Sequence, residues 1–380
     1  MLASSPWMTP DVVAFRDQVR RFVADEVAPH ETRWRAEHKV DRALWNKAGE
    51  LGLLLADVPD DYGGSGGTFA HMAVVFDELG AAGDSSFGVS VHAIAAHYLL
   101  NQGTEAQKHK WLPRLASGEL VGAIAMTEPG AGSDLQGIRT SARRDGDHYV
   151  INGTKTFITN GYWAGLLVLV ARTSDAPGSK GISLIMVETE GLAGYRVGKP
   201  LEKIGMQGQD TCELFFEDVR VPVENVLGEA EGRGFAQLMQ ELPYERLMVA
   251  VAAVAAIERA VKLTVAYTRE RKAFGKSLLD LQNTRFVLAE CKTHATIARV
   301  FVDRCIQAMI DNQLDTVTAS MAKYWCSDIQ CKVIDDCLQL FGGYGYMREY
   351  PIAQMYADAR VQRIYAGANE IMKELIARSL

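Results

Sequence analysis

Two segments of this sequence carry residue types suited to holding a bound ligand. The first, AMTEPGAGSD, spans residues 125–134 and combines two glycines with the hydroxyl groups of Thr127 and Ser133. Gly130 and Gly132 allow the backbone to approach a ligand closely, and successive backbone N–H groups can converge on an anionic or polar ring edge. A tight Pro-Gly turn between a helix and a strand explains the same letters, so this segment alone leaves both interpretations open.

The second segment, residues 339–378, begins where Gly342 and Gly343 follow a long helical pattern. Glycine at this place is typical of a helix C-terminus, and the amides of the pair could also receive a pyrophosphate. The sequence has no GxxxxGK[ST], HExxH or GxSxG motif. This absence excludes a P-loop, an HExxH metal site and the usual serine hydrolase. The two partial matches to GxGxxG do not follow a strand within a βαβ unit, which argues against a Rossmann site.

Three regions of the chain differ in the periodicity of their apolar residues, and the elements that they form must position these segments. Residues 1–119 follow the 3.6-residue period of helices, whereas residues 120–230 contain short Val-, Ile- and Leu-rich runs typical of strands. Asp145-Gly146 and Asn152-Gly153 are hairpin signals, so the middle region is predicted to form a small antiparallel barrel or sandwich. Residues 231–380 contain long helical segments with short connections, one of them predicted at Thr316–Phe341, which indicates a helical bundle.

Composition excludes several classes of protein. The chain has 380 residues and a formal net charge of −7, which argues against nucleic acid as the main partner. No apolar run reaches the roughly 18–20 residues that a membrane span needs. The N-terminus resembles neither a secretory signal nor a transit peptide, and the six cysteines form no CxxC pair. We therefore expect a reduced protein of the cytoplasm.

The two segments resemble the signatures of the acyl-CoA dehydrogenases, FAD-dependent enzymes of fatty-acid β-oxidation. The resemblance extends from Val12 to Arg378, and the only visible departure within the two signatures is Gln354, where Lys or Arg is usual. QELPYERLMVA, RERKAFGK, ASMAKYWCSDIQ and NEIMKELIAR look most like the long-chain subgroup. The resemblance implies an N-terminal all-α domain (1–119), a central antiparallel β-barrel domain (120–230) and a C-terminal four-helix bundle (231–380).

The resemblance also implies binding residues for FAD and acyl-CoA. An aromatic ring at Phe157 would pack on the flavin and Thr159 would lie near its N5 and O4, while Arg271, Phe274 and Gln282 would reach the FAD of a neighbouring subunit. The implied FAD residues are Met126, Thr127, Gly132, Ser133, Phe157, Ile158, Thr159, Arg271, Phe274, Gln282, Gln339, Gly342, Gly343, Ala368 and Glu370. The implied substrate residues are Ser133, Tyr244, Arg246, Tyr365, Ala366 and Gly367.

One position departs from the pattern of many family members. Their catalytic Glu precedes the Gly of an IY-x-G segment, and here that position is Ala366, which cannot accept a proton. The long-chain and isovaleryl subgroups place the base at the start of the long bundle helix, a position that Glu245 matches. Proline is common at the first position of a helix, so Pro243 predicts that Glu245 lies in a first turn and that Glu241 belongs to a preceding helix.

The implied reaction is the α,β-dehydrogenation of an acyl-CoA thioester to the trans-2-enoyl thioester, with electrons passed to electron-transfer flavoprotein. A medium- to long-chain fatty acyl group is expected, and a branched short group of the isovaleryl type remains open. An acyl-CoA oxidase, a flavin monooxygenase and a non-catalytic flavoprotein are the alternatives on the same fold. A homotetramer is expected, because Arg271 acting on a neighbour's FAD requires at least two subunits.

Overall fold

The structure, a computed structural model, describes residues 5–380 and begins with a helical domain. Its helices are α1 (Pro10–Phe22, followed by a π-helical turn at Val23–Val27), α2 (Glu31–Glu37), α3 (Arg42–Glu50), α4 (Phe69–Ala82), α5 (Val89–Gln102) and α6 (Glu105–Ala116). Thr68 and Thr104 form capping boxes that satisfy free N–H groups at the starts of α4 and α6. Most side chains of α4 and α5 are buried, as expected for helices at the centre of a domain.

The middle domain is one curled seven-stranded sheet with a mixed topology. Its strands are β1 (Val121–Ala125), β2 (Ser141–Asp145), β3 (His148–Thr159), β4 (Ala164–Arg172), β5 (Ile182–Glu188), β6 (Tyr195–Val197) and β7 (Thr211–Pro222). The prediction of an antiparallel barrel is wrong in its details, because β1 pairs with β4 in parallel. In the described part of the chain, no pairing joins β6 to β1 or β5, so the sheet does not close.

One of the two predicted hairpins is also corrected. Asp145 pairs with His148 at a tight β2–β3 turn, as predicted. Asn152 and Gly153 instead lie inside β3 and are flanked by residues that pair with β7. A Cβ at Gly153 would approach Thr140 Oγ1 to 2.5 Å, so close packing of backbone, rather than a turn, accounts for this glycine.

The C-terminal domain is a bundle built around one long helix. The helices are α7 (Gly234–Glu270), α8 (Gln282–Ile310), α9 (Thr316–Phe341), α10 (Pro351–Ala359) and α11 (Asn369–Ala377), and a small hairpin of β8 (Lys272–Ala273) and β9 (Lys276–Ser277) connects α7 to α8. Pro243 lies inside α7 and does not begin it. The predicted separation of Glu241 from Glu245 is therefore wrong, and both lie in one helix.

Helix α7 connects the domains, because α4 and α5 of the N-terminal domain pack against it together with α8 and α9. The buried side chains of both helical domains form one continuous core, and the interior of the sheet forms a second. No helix in residues 5–380 is long and apolar enough to cross a membrane. The six cysteines are free, and five of them are buried.

Candidate active site

The loop after β1 is fastened to β3 by a buried ion pair. Lys155 Nζ donates to Glu128 Oε1 at 2.8 Å and to the backbone carbonyl of Met126 at 3.0 Å. The N–H of Thr156 donates to the carbonyl of Thr127 at 2.9 Å. These contacts place residues 126–134 beside the end of β3. The structure therefore brings the predicted FAD residues of this loop close to those at 157–159.

The outer side of this loop is open. An added Cβ would meet nothing within 4 Å at Gly130 or Gly132, and Ser133 is exposed. Phe157 has a left-handed backbone with φ of 60° and an exposed fraction of 68%, which is unusual for a large aromatic residue in a strand. The exposed ring therefore provides an apolar platform beside a polar, glycine-rich loop.

Ile158, one of the predicted FAD residues, differs in exposure from its neighbours Phe157 and Thr159. Its side chain is buried in the core of the sheet and it pairs with Cys212 of β7. Only its backbone can face a cofactor, whereas Thr159 on the other side of the strand is partly exposed. The alternation of side chains along a strand explains the difference.

A second group of predicted FAD residues lies at the far ends of the bundle helices. Arg271 follows α7, Phe274 is 91% exposed at the tip of the β8–β9 hairpin, and Gln282 begins α8. The exposed Gln339, Gly342 and Gly343 end α9 nearby, and the guanidinium of Arg271 lies 5.4 Å from the ring centre of Tyr344. Within residues 5–380, no hydrogen bond or ion pair joins this group to the loop at 126–134.

Glu245 is a buried carboxylate in the first half of α7. The hydroxyl of Tyr98 on α5 donates to Glu245 Oε1 at 2.7 Å. Burial raises the pKa of Glu245 to about 7, since desolvation outweighs the Tyr98 hydrogen bond, and the nearby Glu241 adds to the rise. A carboxylate with this pKa can accept and release a proton near neutral pH.

The neighbouring acid on α7 has partners of its own. Glu241 accepts hydrogen bonds from Asn101 Nδ2 at 2.9 Å and Gln102 Nε2 at 3.2 Å, and burial raises its pKa. Both amides belong to the last turn of α5, so Glu241 is held at the junction of the two helical domains.

Tyr244 and Arg246, two of the predicted substrate residues, have partners within the protein. The Tyr244 hydroxyl donates to Asp57 Oδ2 at 3.0 Å, and its ring stacks on His97. Arg246 is buried and donates to Ser320 Oγ on α9 at 3.0 Å. Both side chains bind other parts of the protein, because consecutive residues of a helix point in different directions.

The loop at residues 365–368 forms a strained turn before α11. Ala366 has a φ of 50° and Gly367 a φ of 89°, and a left-handed conformation is costly for alanine. The buried Lys323 of α9 donates to the carbonyl of Gly367 at 2.6 Å and to Asn369 Oδ1 at 2.9 Å. Strain of this kind persists only where the surroundings impose it, and Lys323 supplies that restraint.

The remaining predicted residues of this loop differ in exposure. Ala368 is partly buried and precedes α11, where its carbonyl accepts N–H groups of the first turn. Glu370 is exposed in that first turn. Tyr365 is partly buried and lines a cavity of about 120 Å³ between α4, α5, α7 and α9.

The sequence of each part of the chain matches one model of a single family. Residues 9–119 match the N-terminal domain of acyl-CoA dehydrogenases, residues 123–219 the middle domain, and residues 232–380 the C-terminal domain. The chain belongs to the acyl-CoA dehydrogenase family. It is an oxidoreductase, and the cofactor of this family is FAD.

Relatives with different names resemble this acyl-CoA dehydrogenase over nearly its whole length. It is 49% identical to the long-chain specific acyl-CoA dehydrogenase of Mus musculus, with 96% of this chain and 85% of that one covered. It is 35% identical to the isovaleryl-CoA dehydrogenase of Oryza sativa, with 96% and 90% covered. An acyl-CoA dehydrogenase structure from Geobacillus kaustophilus superposes with a TM-score of 0.96 at 45% identity, covering 99% of both chains.

The residues present fit FAD. The glycines at 130, 132, 342 and 343 leave open space where a ligand can approach the backbone, and exposed Phe157 offers a surface for a flavin ring. Arg271 has no ion pair in the described part of this acyl-CoA dehydrogenase, so its guanidinium is available to a phosphate. The features that suit FAD are therefore present in two separate groups of residues.

Tyr98, Lys155 and Lys323 were not among the residues predicted from the sequence. Each makes a buried polar contact to a different segment of the chain, with Glu245, Glu128 and Gly367 respectively. The available signal was polarity within an apolar helical or strand pattern, since buried Lys and Tyr need partners. The identity of those partners depends on tertiary packing and is not present in local sequence.

Proposed function

We propose that this enzyme dehydrogenates a fatty acyl-CoA thioester between Cα and Cβ, with Glu245 as the general base that takes the α-proton. The placement of Glu245 supports this assignment, because a buried carboxylate with a pKa near 7 suits proton transfer at neutral pH. Ala366, in the position of the base in other members, offers only a methyl group. Bound FAD supplies the acceptor for the hydride that leaves Cβ.

The backbone N–H of Ala366 is the proposed donor to the thioester carbonyl. Removal of the α-proton places negative charge on this oxygen, and a donor fixed in advance stabilises it without reorganisation. The bonds from Lys323 to Gly367 and Asn369 hold the loop that carries this N–H. Replacement of Glu by Ala at residue 366 leaves the backbone donor in place.

Other buried carboxylates are less suited to the role. Glu241 accepts two amide hydrogen bonds at the domain junction. Glu128 pairs with Lys155 and accepts the backbone N–H groups of Arg139 and Thr140. These contacts occupy both carboxylates with structural partners, whereas one oxygen of Glu245 has no protein donor assigned to it in residues 5–380.

The proposed acyl group is a medium- to long-chain one. Val249, Ala252 and Ala256 follow Glu245 along one face of α7 and are only partly buried inside the bundle. The last two line the cavity that also contains Tyr365. Eleven residues of helix separate Glu245 from Ala256, which is about 16 Å. An acyl group that extends from Glu245 toward this cavity would have to be longer than an isovaleryl group.

The proposed assembly is a homotetramer that passes electrons to electron-transfer flavoprotein. Arg271, Phe274 and Gln282 form an exposed group with no hydrogen bond or ion pair to the loop at 126–134 in residues 5–380, which supports their serving the FAD of a neighbouring subunit. A light-scattering mass near that of one 41.7 kDa chain would contradict this part of the proposal.

The proposal is tested with the FAD-loaded enzyme and a series of acyl-CoA thioesters. Stopped-flow measurement of flavin reduction should give the highest rates with medium- or long-chain acyl-CoA and a much lower rate with isovaleryl-CoA. Preference for isovaleryl-CoA would assign the branched substrate instead. Reoxidation by oxygen as fast as by electron-transfer flavoprotein would indicate an oxidase, and no flavin reduction by any thioester would contradict the dehydrogenase assignment.

A further inference from the structure

Tyr98 and Glu245 meet in the interface between the N-terminal domain and the bundle. The Tyr98 side chain is fully buried and Glu245 is 7% exposed, and their oxygens lie 2.7 Å apart. Water therefore competes little for either group, which makes the charge-assisted hydrogen bond stronger than one at the surface. A residue of α5 thus holds the carboxylate of Glu245 on α7.

We propose that Tyr98 is a positioning residue that holds the carboxylate of Glu245 in one orientation and favours its ionised form. This inference rests on the proposed role of Glu245 as base. Its physical reason is that a glutamate side chain has several rotatable bonds, and catalysis by a base requires a defined approach to the proton. Tyr98 acts through Glu245 and does not itself touch the reacting atoms.

The contact between Tyr98 and Glu245 is one of several polar and aromatic contacts that join α5 to α7. Asn101 and Gln102 bind Glu241, and the ring of His97 stacks on Tyr244. These contacts surround the Tyr98 hydrogen bond and fix the relative position of the two helices. The phenol is therefore presented to Glu245 by a rigid interface, as positioning requires.

The charged and titratable groups that face Glu245 act in both directions. Burial and the like charge of Glu241 disfavour its carboxylate, whereas the hydroxyl of Tyr98 and the positive charge of Arg246 favour it. Tyr98 comes from α5, and Glu241 and Arg246 come from α7. Loss of the Tyr98 hydroxyl therefore raises the pKa of Glu245, so a higher pH is needed to ionise the base.

The test is Tyr98→Phe in the FAD-loaded enzyme, with the rate of flavin reduction measured by stopped flow as a function of pH. We expect the acid limb of the profile to move upward by about half a pH unit or more, with activity partly recovered at high pH. Tyr149→Phe is the matched control, because it removes a tyrosine hydroxyl that donates to Glu231 outside this interface. Its acid limb should remain that of the wild type.

A second variant tests the opposite direction and keeps the shape of the side chain. Site-specific replacement of Tyr98 by 3-fluorotyrosine strengthens the phenol as a donor and should move the acid limb to lower pH. If Tyr98→Phe does not fold, this variant decides the question. An acid limb unchanged in the folded variants would overturn the proposal, whereas absence of flavin reduction in the wild type would count against the dehydrogenase assignment itself.

Discussion

Glu128 and Glu245 are two glutamates with little exposed surface, each 7% exposed, in different domains of the protein. Burial would raise the pKa of both, but at Glu128 the Lys155 ammonium and two backbone N–H groups outweigh it and lower the pKa. At Glu245 the close partner is the neutral hydroxyl of Tyr98, and the pKa rises to about 7. The two carboxylates therefore differ in their partners, since a buried ammonium and backbone N–H groups hold Glu128 ionised, whereas a single neutral hydroxyl contacts the more strongly desolvated Glu245.

The largest expected effect comes from Glu245→Gln. The amide keeps the size of the side chain and can still accept from Tyr98, but it cannot take a proton. Flavin reduction by acyl-CoA should fall by orders of magnitude while thioester binding persists, as single-turnover kinetics and a binding titration can show. Undiminished reduction in this variant would remove Glu245 from the mechanism.

Glu128→Gln should instead reduce stability. It leaves the buried Lys155 without its carboxylate, and breaking a buried ion pair costs about 3–5 kcal/mol. Urea unfolding measures this loss, with Glu119→Gln as a control, since the exposed pair of Glu119 with Arg114 contributes about 1 kcal/mol or less. A loss as small as that of the control would mean that Lys155 and Glu128 are not an interdependent pair.

Glu245→Gln should also change how stability depends on pH. The pKa of Glu245 is raised from 4.5 to about 7 in the folded protein, so ionisation is less favourable when folded than when unfolded. Glu245 therefore contributes a loss of stability of about 3 kcal/mol as the pH rises from 4.5 through 7. The variant lacks this loss, and the difference between the two unfolding free energies should grow across that range.

A difference between variant and wild type that stays constant from about pH 4.5 to 8 would show that the folded protein does not perturb Glu245. Chemical denaturation at several pH values, followed by circular dichroism, is sufficient for the measurement.

Glu241→Gln is expected to have the smallest effect. It removes a negative charge one turn from Glu245, which lowers the pKa of the base, and the acid limb of flavin reduction should move to lower pH by less than about one unit. The maximal rate should stay close to that of the wild type. A loss of rate as large as in Glu245→Gln would assign the proton transfer to Glu241.

Elements marked by their own local signals could be predicted from the sequence. Helix α9 has the predicted bounds, Thr316–Phe341. Asp315 accepts two N–H groups at its start, and Gly342 takes a positive φ directly after its end. Both signals lie within a few residues of the helix ends. The two glycine-containing segments were recognisable for the same reason, because their residue types are adjacent in the chain.

Features that depend on packing were not predicted. Pro243 removes one backbone donor, which normally favours a helix start or break. Helix α7 nevertheless continues through Pro243, because other helices pack against it on several sides and stabilise it. The parallel pairing of β1 with β4 joins strands about 40 residues apart, and no local pattern specifies it. Tyr98 and Glu245 share a hydrogen bond although they lie 147 residues apart in the sequence. No local sequence pattern predicts this contact.

The raised pKa of Glu245 also sets the share of molecules that are ready to react. On the proposed mechanism only the ionised form is active, so a pKa raised to about 7 leaves a substantial share of the molecules protonated and inactive near neutral pH, and a larger share at lower pH. A fall in pH thus slows oxidation of the acyl group without any inhibitor, simply by returning a proton to the buried side chain. On this proposal, acidification and turnover are coupled through a single desolvated carboxyl group.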